Sequence, residues 1–101
     1  MKFVDSHAHY NDLRFEEEFP GGADAAISAS HDAGAAYILN AGTNMQTSLE
    51  SIALSRKFPF VFAAAGIHPY DCSFIEESAD SAIAEIETLL SDPAVRAIGE
   101  I

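Results

Sequence analysis

The sequence predicts an α/β protein with one parallel sheet, because apolar β-favouring runs alternate with amphipathic helical patterns over its 101 residues. The predicted order is β-α-β-α-β-α-β, with roughly thirty residues in each unit, the usual length of a right-handed β-α-β crossover. Three of the four strand-like runs are almost continuously apolar, which is typical of parallel strands buried on both faces. We therefore expect helices packed on a sheet around one hydrophobic core.

Three of the four predicted strands lead into a glycine or a polar segment. The strands span residues 3–5, 36–41, 60–65 and 95–101. The first runs directly into a closely spaced pair of histidines, and Gly42 and Gly66 close the second and third. The fourth is the last segment of the sequence and contains the acidic residue Glu100.

Three amphipathic patterns predict the helices between these strands. Gly34 supplies a C-terminal stop for the first, Asn44 is a candidate cap for the second, and Asp92-Pro93 ends the third. The acidic run at residues 16–18 is interpreted as a solvated stretch ahead of the first helix. The predicted apolar stripes are Ala23, Ala26, Ile27 and Ala33; Met45, Leu49, Ile52 and Ala53; and Ala79, Ile83, Ile86 and Leu90.

Composition narrows the possible functions. The chain is 49% hydrophobic and 21% charged, which is typical of a globular domain, and residues 1–101 show no internal domain boundary. Its net charge of −11 argues against a general polyanion-binding surface, which normally has a basic stripe. We expect no membrane span and no signal peptide. A single cysteine, Cys72, excludes an intramolecular disulfide and predicts a cytoplasmic location.

Residues able to do chemistry follow three of the predicted strands. Asp5, His7 and His9 lie at the end of the first strand, His68 follows the third, and Glu100 lies at the end of the fourth. The carboxyl ends of parallel strands share one edge of the sheet, and that edge carries the active site in parallel α/β proteins. We therefore expect these side chains to converge on one site.

The spacing of His7 and His9 favours a metal site. Residues i and i+2 of an extended strand point to the same side, roughly 6–7 Å apart at Cα. Two imidazoles placed in this way can bind one cation at distances of about 2 Å. Asp5 shares their parity and is a candidate partner for a ring N–H or for a metal-bound water. The alternative is a pair of unrelated histidines on an exposed loop.

The remaining candidates are interpreted separately. His68, in "GIHPYD", is a candidate for binding a substrate anion such as phosphate or for moving a proton; alternatively, it supports the turn at Pro69. His31 lies in the last turn of the first predicted helix, where the helix dipole favours a partly charged imidazole, so its role is structural. Cys72 is interpreted as an ordinary small side chain.

Four stretches of the sequence resemble the TatD family of metal-dependent deoxyribonucleases, in the amidohydrolase superfamily: "FVDSHAHYND", "ILNAGTN", "VFAAAGIHPYD" and "AIGEI". The resemblance implies the first half of a (β/α)8 TIM-type barrel that binds one or two divalent metal ions, Mg, Mn or Zn, and hydrolyses phosphodiester bonds with a metal-activated water. His7, His9 and Glu100 would bind metal, His68 would position a substrate phosphate, and DNA would be the substrate.

The resemblance also implies that residues 1–101 are an N-terminal fragment, since such a barrel needs about 250 residues. Family members continue after the glutamate with further histidine ligands and an aspartate that serves as ligand and base, so no complete catalytic set is expected here and the isolated chain is expected to be inactive. The alternatives are a non-catalytic half-barrel that self-associates through exposed strand edges or is completed by a partner, a hydrolase of another ester or amide, and a flavodoxin-like effector-binding sheet.

Overall fold

A computed structural model describes residues 1–75 and 78–101, and within these ranges four strands form one parallel sheet. The strands are β1 (Phe3–Ala8), β2 (Ala35–Ala41), β3 (Val61–Ala65) and β4 (Val95–Ile98). They lie in the order β1-β2-β3-β4, and all three neighbouring pairs are parallel. The predicted parallel sheet is confirmed.

The described helices lie between the strands. They are α1 (Arg14–Glu18), α2 (Gly22–Asp32), α3 (Met45–Lys57) and α4 (Ala79–Leu89), with a 3₁₀ helix at Pro69–Phe74. Helix α1 and the 3₁₀ helix were not expected from the sequence. No helix in the described part of the chain combines the length and the apolar composition that a membrane crossing requires.

The acidic run at residues 16–18 is more than a solvated stretch, because it forms most of α1 and one of its side chains caps another helix. The Glu16 carboxylate accepts the backbone N–H of Ala23 at 3.1 Å, in the first turn of α2. The N-cap of α2 is Gly21, which has no side chain to accept that bond. A carboxylate from α1 therefore accepts a backbone N–H in the first turn of α2 that would otherwise lack a partner within the helix.

The hydrophobic core lies where α2 and the surrounding segments cover β1, β2 and β3. Ile27 and Ile38 are fully buried at its centre, and Val61 is 1% exposed. Residues of α1, of α3 and of the turn before β3 pack against this cluster. The partly buried members are Phe15, Leu54, Phe58 and Phe60.

The buried face of α3 differs from the predicted apolar stripe. Ser48, Ser51 and Ile52 are buried, whereas Leu49 is 46% exposed. The small serines let the helix lie close to the ends of β2 and β3, where a Cβ on Gly42 would collide with Ser48. The cap at the start of the helix is confirmed, since the side chain of Asn44 accepts the backbone N–H of Thr47 at 2.8 Å.

Helix α4 buries only part of its predicted stripe. Ile86 is buried as predicted, beside Ala82, which the stripe did not include, but Ile83 is 60% and Leu90 is 40% exposed. Together with Ile98 these side chains line an open apolar groove between α4 and the edge strand β4.

Candidate metal centre

His7, His9 and Glu100 meet at the carboxyl ends of the strands, as the sequence predicts. The Nε2 atoms of the two histidines lie 3.0 Å apart. Each of these nitrogens also lies 3.1 Å from Oε2 of Glu100. Three potential ligand atoms, two nitrogens and one carboxylate oxygen, therefore form a nearly equilateral triangle. We call these three residues the metal cluster.

The backbone that follows β4 makes this meeting possible, because β1 and β4 are opposite edges of the sheet. The Gly99 N–H donates to the carbonyl of Ala65 at 2.9 Å, and the Glu100 N–H donates to the carbonyl of Gly42 at 2.6 Å. The chain thus crosses the end of β3 to reach the end of β2. From there the side chain of Glu100 extends to the histidines of β1.

A close approach between two glycines allows this crossing. A Cβ on Gly66 would lie 2.8 Å from the carbonyl carbon of Gly99, which is too near for any side chain. The Gly66 N–H also donates to the Ser48 hydroxyl at 3.2 Å, so the backbone here is held against α3. The position of Glu100 therefore depends on a glycine at residue 66 as well as on the end of β4.

His9 is held in the tautomer that metal binding requires. Its Nδ1 lies 2.9 Å from the carbonyl oxygen of Ala41, an acceptor, so Nδ1 carries the proton and donates it. The neutral ring then presents an unprotonated Nε2 to the metal cluster. A backbone carbonyl that fixes ring orientation in this way is the usual support of a metal-binding histidine.

Asp5 does not receive a ring N–H from either histidine. Its carboxylate accepts the backbone N–H of His7 at 3.1 Å. The ring nitrogens contact other groups. Nδ1 of His9 contacts the carbonyl oxygen of Ala41, and Nε2 of each histidine lies in the metal cluster. Asp5 therefore fixes the backbone at His7, while its suggested contact to a metal-bound water stays a prediction.

A buried amide that the sequence analysis did not single out anchors the segment after His9. Asn40 on β2 is fully buried, and its side chain accepts the Tyr10 N–H at 2.6 Å. The amide group donates to Asn11 at 2.9 Å and to Ser51 at 2.8 Å. The available signal was a single asparagine inside an apolar strand, because such a residue must find partners when it is buried.

His68 also lies beside the metal cluster, with Nε2 3.7 Å from Oε1 of Glu100. Its ring Nδ1 accepts the backbone N–H of Tyr70 at 3.0 Å. The backbone N–H of His68 donates to the backbone carbonyl of Thr43 at 2.8 Å. One ring nitrogen therefore supports the turn at Pro69, as one interpretation of the sequence stated. The neutral ring carries its proton on Nε2, which faces the carboxylate.

The electrostatics of the centre favour a charged carboxylate. The hydrogen bond from His7 lowers the pKa of Glu100 below its usual value, burial opposes this shift, and the neighbouring His7, His9 and His68 add to it. Ligand atoms that bind one cation at about 2 Å lie roughly 3 Å apart, the spacing within the metal cluster. The donor types, the tautomer of His9 and the charge on Glu100 all fit a divalent cation.

Two open clefts adjoin His9. One has a volume of about 530 Å³ and lies against α1, between Arg14 and Phe19. The other, of about 580 Å³, lies against the first turns of α3, with Gln46 and Glu50 among its walls. Both clefts therefore adjoin the metal cluster through His9.

Comparison with known proteins gives a consistent result. The family model described as TatD related DNase matches residues 4–101. The 3'-5' ssDNA/RNA exonuclease TatD of Edwardsiella piscicida is 33% identical over 84 residues, which cover 82% of this chain and 31% of that protein. The protein of the same name from Escherichia coli strain K12 is 34% identical over 83 residues, which again cover 82% of this chain and 31% of that protein.

A solved structure shows the same fold. The crystal structure of YJJV, a TatD homologue from Escherichia coli K12, superposes with a TM-score of 0.73 at 27% sequence identity. The match covers 98% of this chain and 36% of that one, so the four strands and their helices correspond to the first part of its TIM-barrel-like fold. The chain thus spans about a third of the length of the relatives that it matches.

Proposed function

The chain belongs to the TatD related DNase family, and from this premise we propose that it supplies the first half of the metal site of a phosphodiester hydrolase. The substrate that we propose is single-stranded DNA or RNA, because the curated relatives are 3'-5' exonucleases of those nucleic acids by name. The observation that carries the proposal is the triangle of ligand atoms from His7, His9 and Glu100.

The metal cluster holds the cation in this proposal. The family is metal-dependent in general, and Mg, Mn and Zn are the candidate ions. His9 keeps its Nε2 free through its bond to Ala41, and Glu100 supplies the negative charge. When bound, the divalent cation supplies a Lewis acid that polarises a phosphoryl oxygen and makes water a stronger nucleophile near neutral pH.

His68 binds the substrate phosphate in this proposal. Its Nδ1 is occupied by the Tyr70 N–H, so its remaining N–H, on Nε2, is the group available to a phosphate oxygen. That group lies on the rim of the metal cluster, 3.7 Å from Glu100. A hydrogen bond from an imidazole at this position orients the phosphodiester and offsets part of its charge.

Three ligand atoms do not fill the coordination sphere of any of these ions, since even a tetrahedral Zn site takes four. We propose that the other ligands and the catalytic base come from β/α units such as the relatives contain beyond the matched part. The residues described here would then bind a cation weakly and, without those units, hydrolyse nucleic acid little or not at all.

Metal titration tests the proposal directly. Isothermal calorimetry with Mn²⁺ is expected to show binding at one site, which His7→Ala and His9→Ala remove. His31→Ala is the matched control, because His31 donates to the Ala35 carbonyl away from the cluster. Binding that is unchanged in His7→Ala would contradict the assignment.

A nuclease assay tests the substrate class. The protein, supplemented with Mn²⁺ or Mg²⁺, is incubated with a 5'-labelled single-stranded oligonucleotide, alone and together with a polypeptide that supplies the further β/α units. Release of nucleotides that is greatest for the complemented protein and lost in His9→Ala is expected. Complemented protein that binds metal but hydrolyses a carboxylic ester or amide, and no phosphodiester, would favour the other hydrolase class.

A second candidate function is association with a polypeptide that covers β4 and completes the barrel. One observation favours it: an apolar groove lies beside an edge strand, with Ile98 63% and Ile83 60% exposed. In this proposal the partner provides the β/α unit that follows β4 in the relatives. Light scattering coupled to size exclusion tests it, and a monomer at every concentration, with no binding of that unit in trans, would exclude it.

A further inference from the structure

The cleft against α1 contains groups that nothing above assigns to the reaction. It is lined by His9, Asp12, Arg14, Phe15, Glu18 and Phe19. Because His9 also belongs to the metal cluster, a ligand in this cleft lies next to any group bound at the cluster. The lining combines one guanidinium with two aromatic rings.

Arg14 is held in a fixed orientation within this cleft. Its Nε and Nη2 groups donate to the two carboxylate oxygens of Asp12, at 3.0 and 2.9 Å. Asp12 in turn accepts the backbone N–H of Arg14 at 2.9 Å. A guanidinium has five N–H donors, so the two used here leave three for another acceptor. The side chain is 75% exposed, and a ligand can reach these donors.

Phe19 offers an exposed ring beside this cation. It follows the last residue of α1 and is 39% exposed. Phe15 also lines the cleft, and its ring is partly buried against the core, 4.9 Å from the ring of Tyr10. Single-stranded nucleic acids are bound by this pairing of groups, in which bases stack on exposed aromatic rings and cations contact the phosphates.

We infer that the cleft against α1 binds the nucleotide next to the phosphodiester held at the metal cluster, with Arg14 on its phosphate and Phe19 against its base. The inference rests on the proposed function and names a substrate subsite for it. The other two arginines lie outside this cleft, since Arg56 donates to Asp92 at 2.8 Å and Arg96 lies over the ring of Phe62.

Glu18 is expected to act on a bound phosphate in the opposite sense to Arg14. Its carboxylate lines the same cleft and acts electrostatically on Arg14. A negative charge at this place opposes the binding of a phosphate. Removing that charge should therefore strengthen nucleotide binding, whereas removing the charge of Arg14 should weaken it.

Titration by nuclear magnetic resonance tests the subsite. The metal-free, EDTA-treated protein is titrated with a single-stranded thymidine tetramer and with an abasic tetramer of the same length. Arg14→Gln is expected to weaken binding of both about fivefold and to reduce the slope of log K against log salt by about 0.7. Glu18→Gln is expected to strengthen binding of both. Arg56→Gln, which removes the same charge away from the cleft, should change neither affinity nor slope.

The ring of Phe19 is tested by the difference between the two probes. Phe19→Leu is expected to weaken binding of the thymidine tetramer at least about fivefold and to leave the abasic tetramer unaffected. Equal loss for both probes, equal effects of Arg14→Gln and Arg56→Gln, or no binding by the unaltered protein would each overturn the inference. These measurements need no hydrolysis. A nuclease assay that fails while they succeed would count against the proposed function alone.

Discussion

Single side chains at the metal cluster are set by hydrogen bonds to the backbone of neighbouring segments. His9 donates to Ala41 on β2, and the segment after it is held by Asn40 on the same strand. Asp5 fixes the backbone at His7. The orientation of the histidine pair on β1 therefore depends on groups of β2 that are not themselves candidate ligands.

At the residue scale, Asn40→Leu tests this dependence. The substitution keeps the branched shape of the side chain but leaves the buried Tyr10 N–H without its acceptor and the Ser51 hydroxyl without the donor from Asn40. We expect the free energy of unfolding to fall by about 2–4 kcal/mol, measured by urea denaturation.

Ser51→Ala is the control for Asn40→Leu, because it removes one partner of the amide and leaves the bond to Tyr10 in place. A much smaller loss is expected for it. Equal losses in the two variants would show that the bond to Tyr10 does not matter.

The elements that position the cluster differ in how far the sequence predicts them. The four strands are predicted to within a few residues, because apolar runs that end at Gly42 or Gly66 leave little choice of boundary. Helix α1 is missed, since five residues with no apolar repeat carry no periodic signal. The face of α3 is only partly as predicted: Ile52 is buried, but close contact with Gly42 favours buried serines over Leu49.

In the candidate site, too, the sequence predicts some features and misses others. His7, His9 and Glu100 were expected together because parallel strands place their carboxyl ends at one edge of the sheet. The supporting contacts of Asn40 and Ala41 could not be expected, since they depend on the register between β1 and β2, which contains irregularities in this sheet. Periodicity specifies which face a side chain occupies but not its hydrogen-bond partner.

At the element scale, Gly66→Ala is expected to displace the segment after β4. The added Cβ would contact the carbonyl carbon of Gly99 at 2.8 Å, so this backbone must move away from the end of β3. Glu100 would move with it, and we expect the affinity for Mn²⁺ to fall about tenfold, as for other losses of ligand support. Calorimetric titration measures this change.

Gly99→Ala is the matched control for Gly66→Ala. Among the described residues outside its chain neighbours, a Cβ at Gly99 would meet nothing nearer than the Cβ of Ala64, at 4.0 Å. Its effect on Mn²⁺ affinity should be small, and circular dichroism shows whether both variants remain folded. If the two glycine variants bound Mn²⁺ equally well, the close approach would have no role in placing Glu100.

The whole molecule joins its two outer strands through the metal cluster. β1 and β4 are opposite edges of the sheet, and the contact of His7 and His9 with Glu100 connects the end of one to the segment after the other. A cation bound there is therefore a link across the full width of the sheet. Any ligand that binds only the folded state stabilises it, in proportion to the logarithm of its concentration above Kd.

At the scale of the molecule, Mn²⁺ is expected to raise the melting temperature in a concentration-dependent manner, measured by thermal unfolding against an EDTA-treated sample. At a concentration 100 times Kd the stabilisation should be about 2.7 kcal/mol. Hydrogen exchange of β1 and of residues 99–101 should slow together, because one cation holds both.

His7→Ala should abolish both effects and His31→Ala should retain them. A melting temperature that is raised equally in His7→Ala would mean that the stabilising ion binds elsewhere, and exchange that slows in β1 alone would mean that Glu100 is not a ligand.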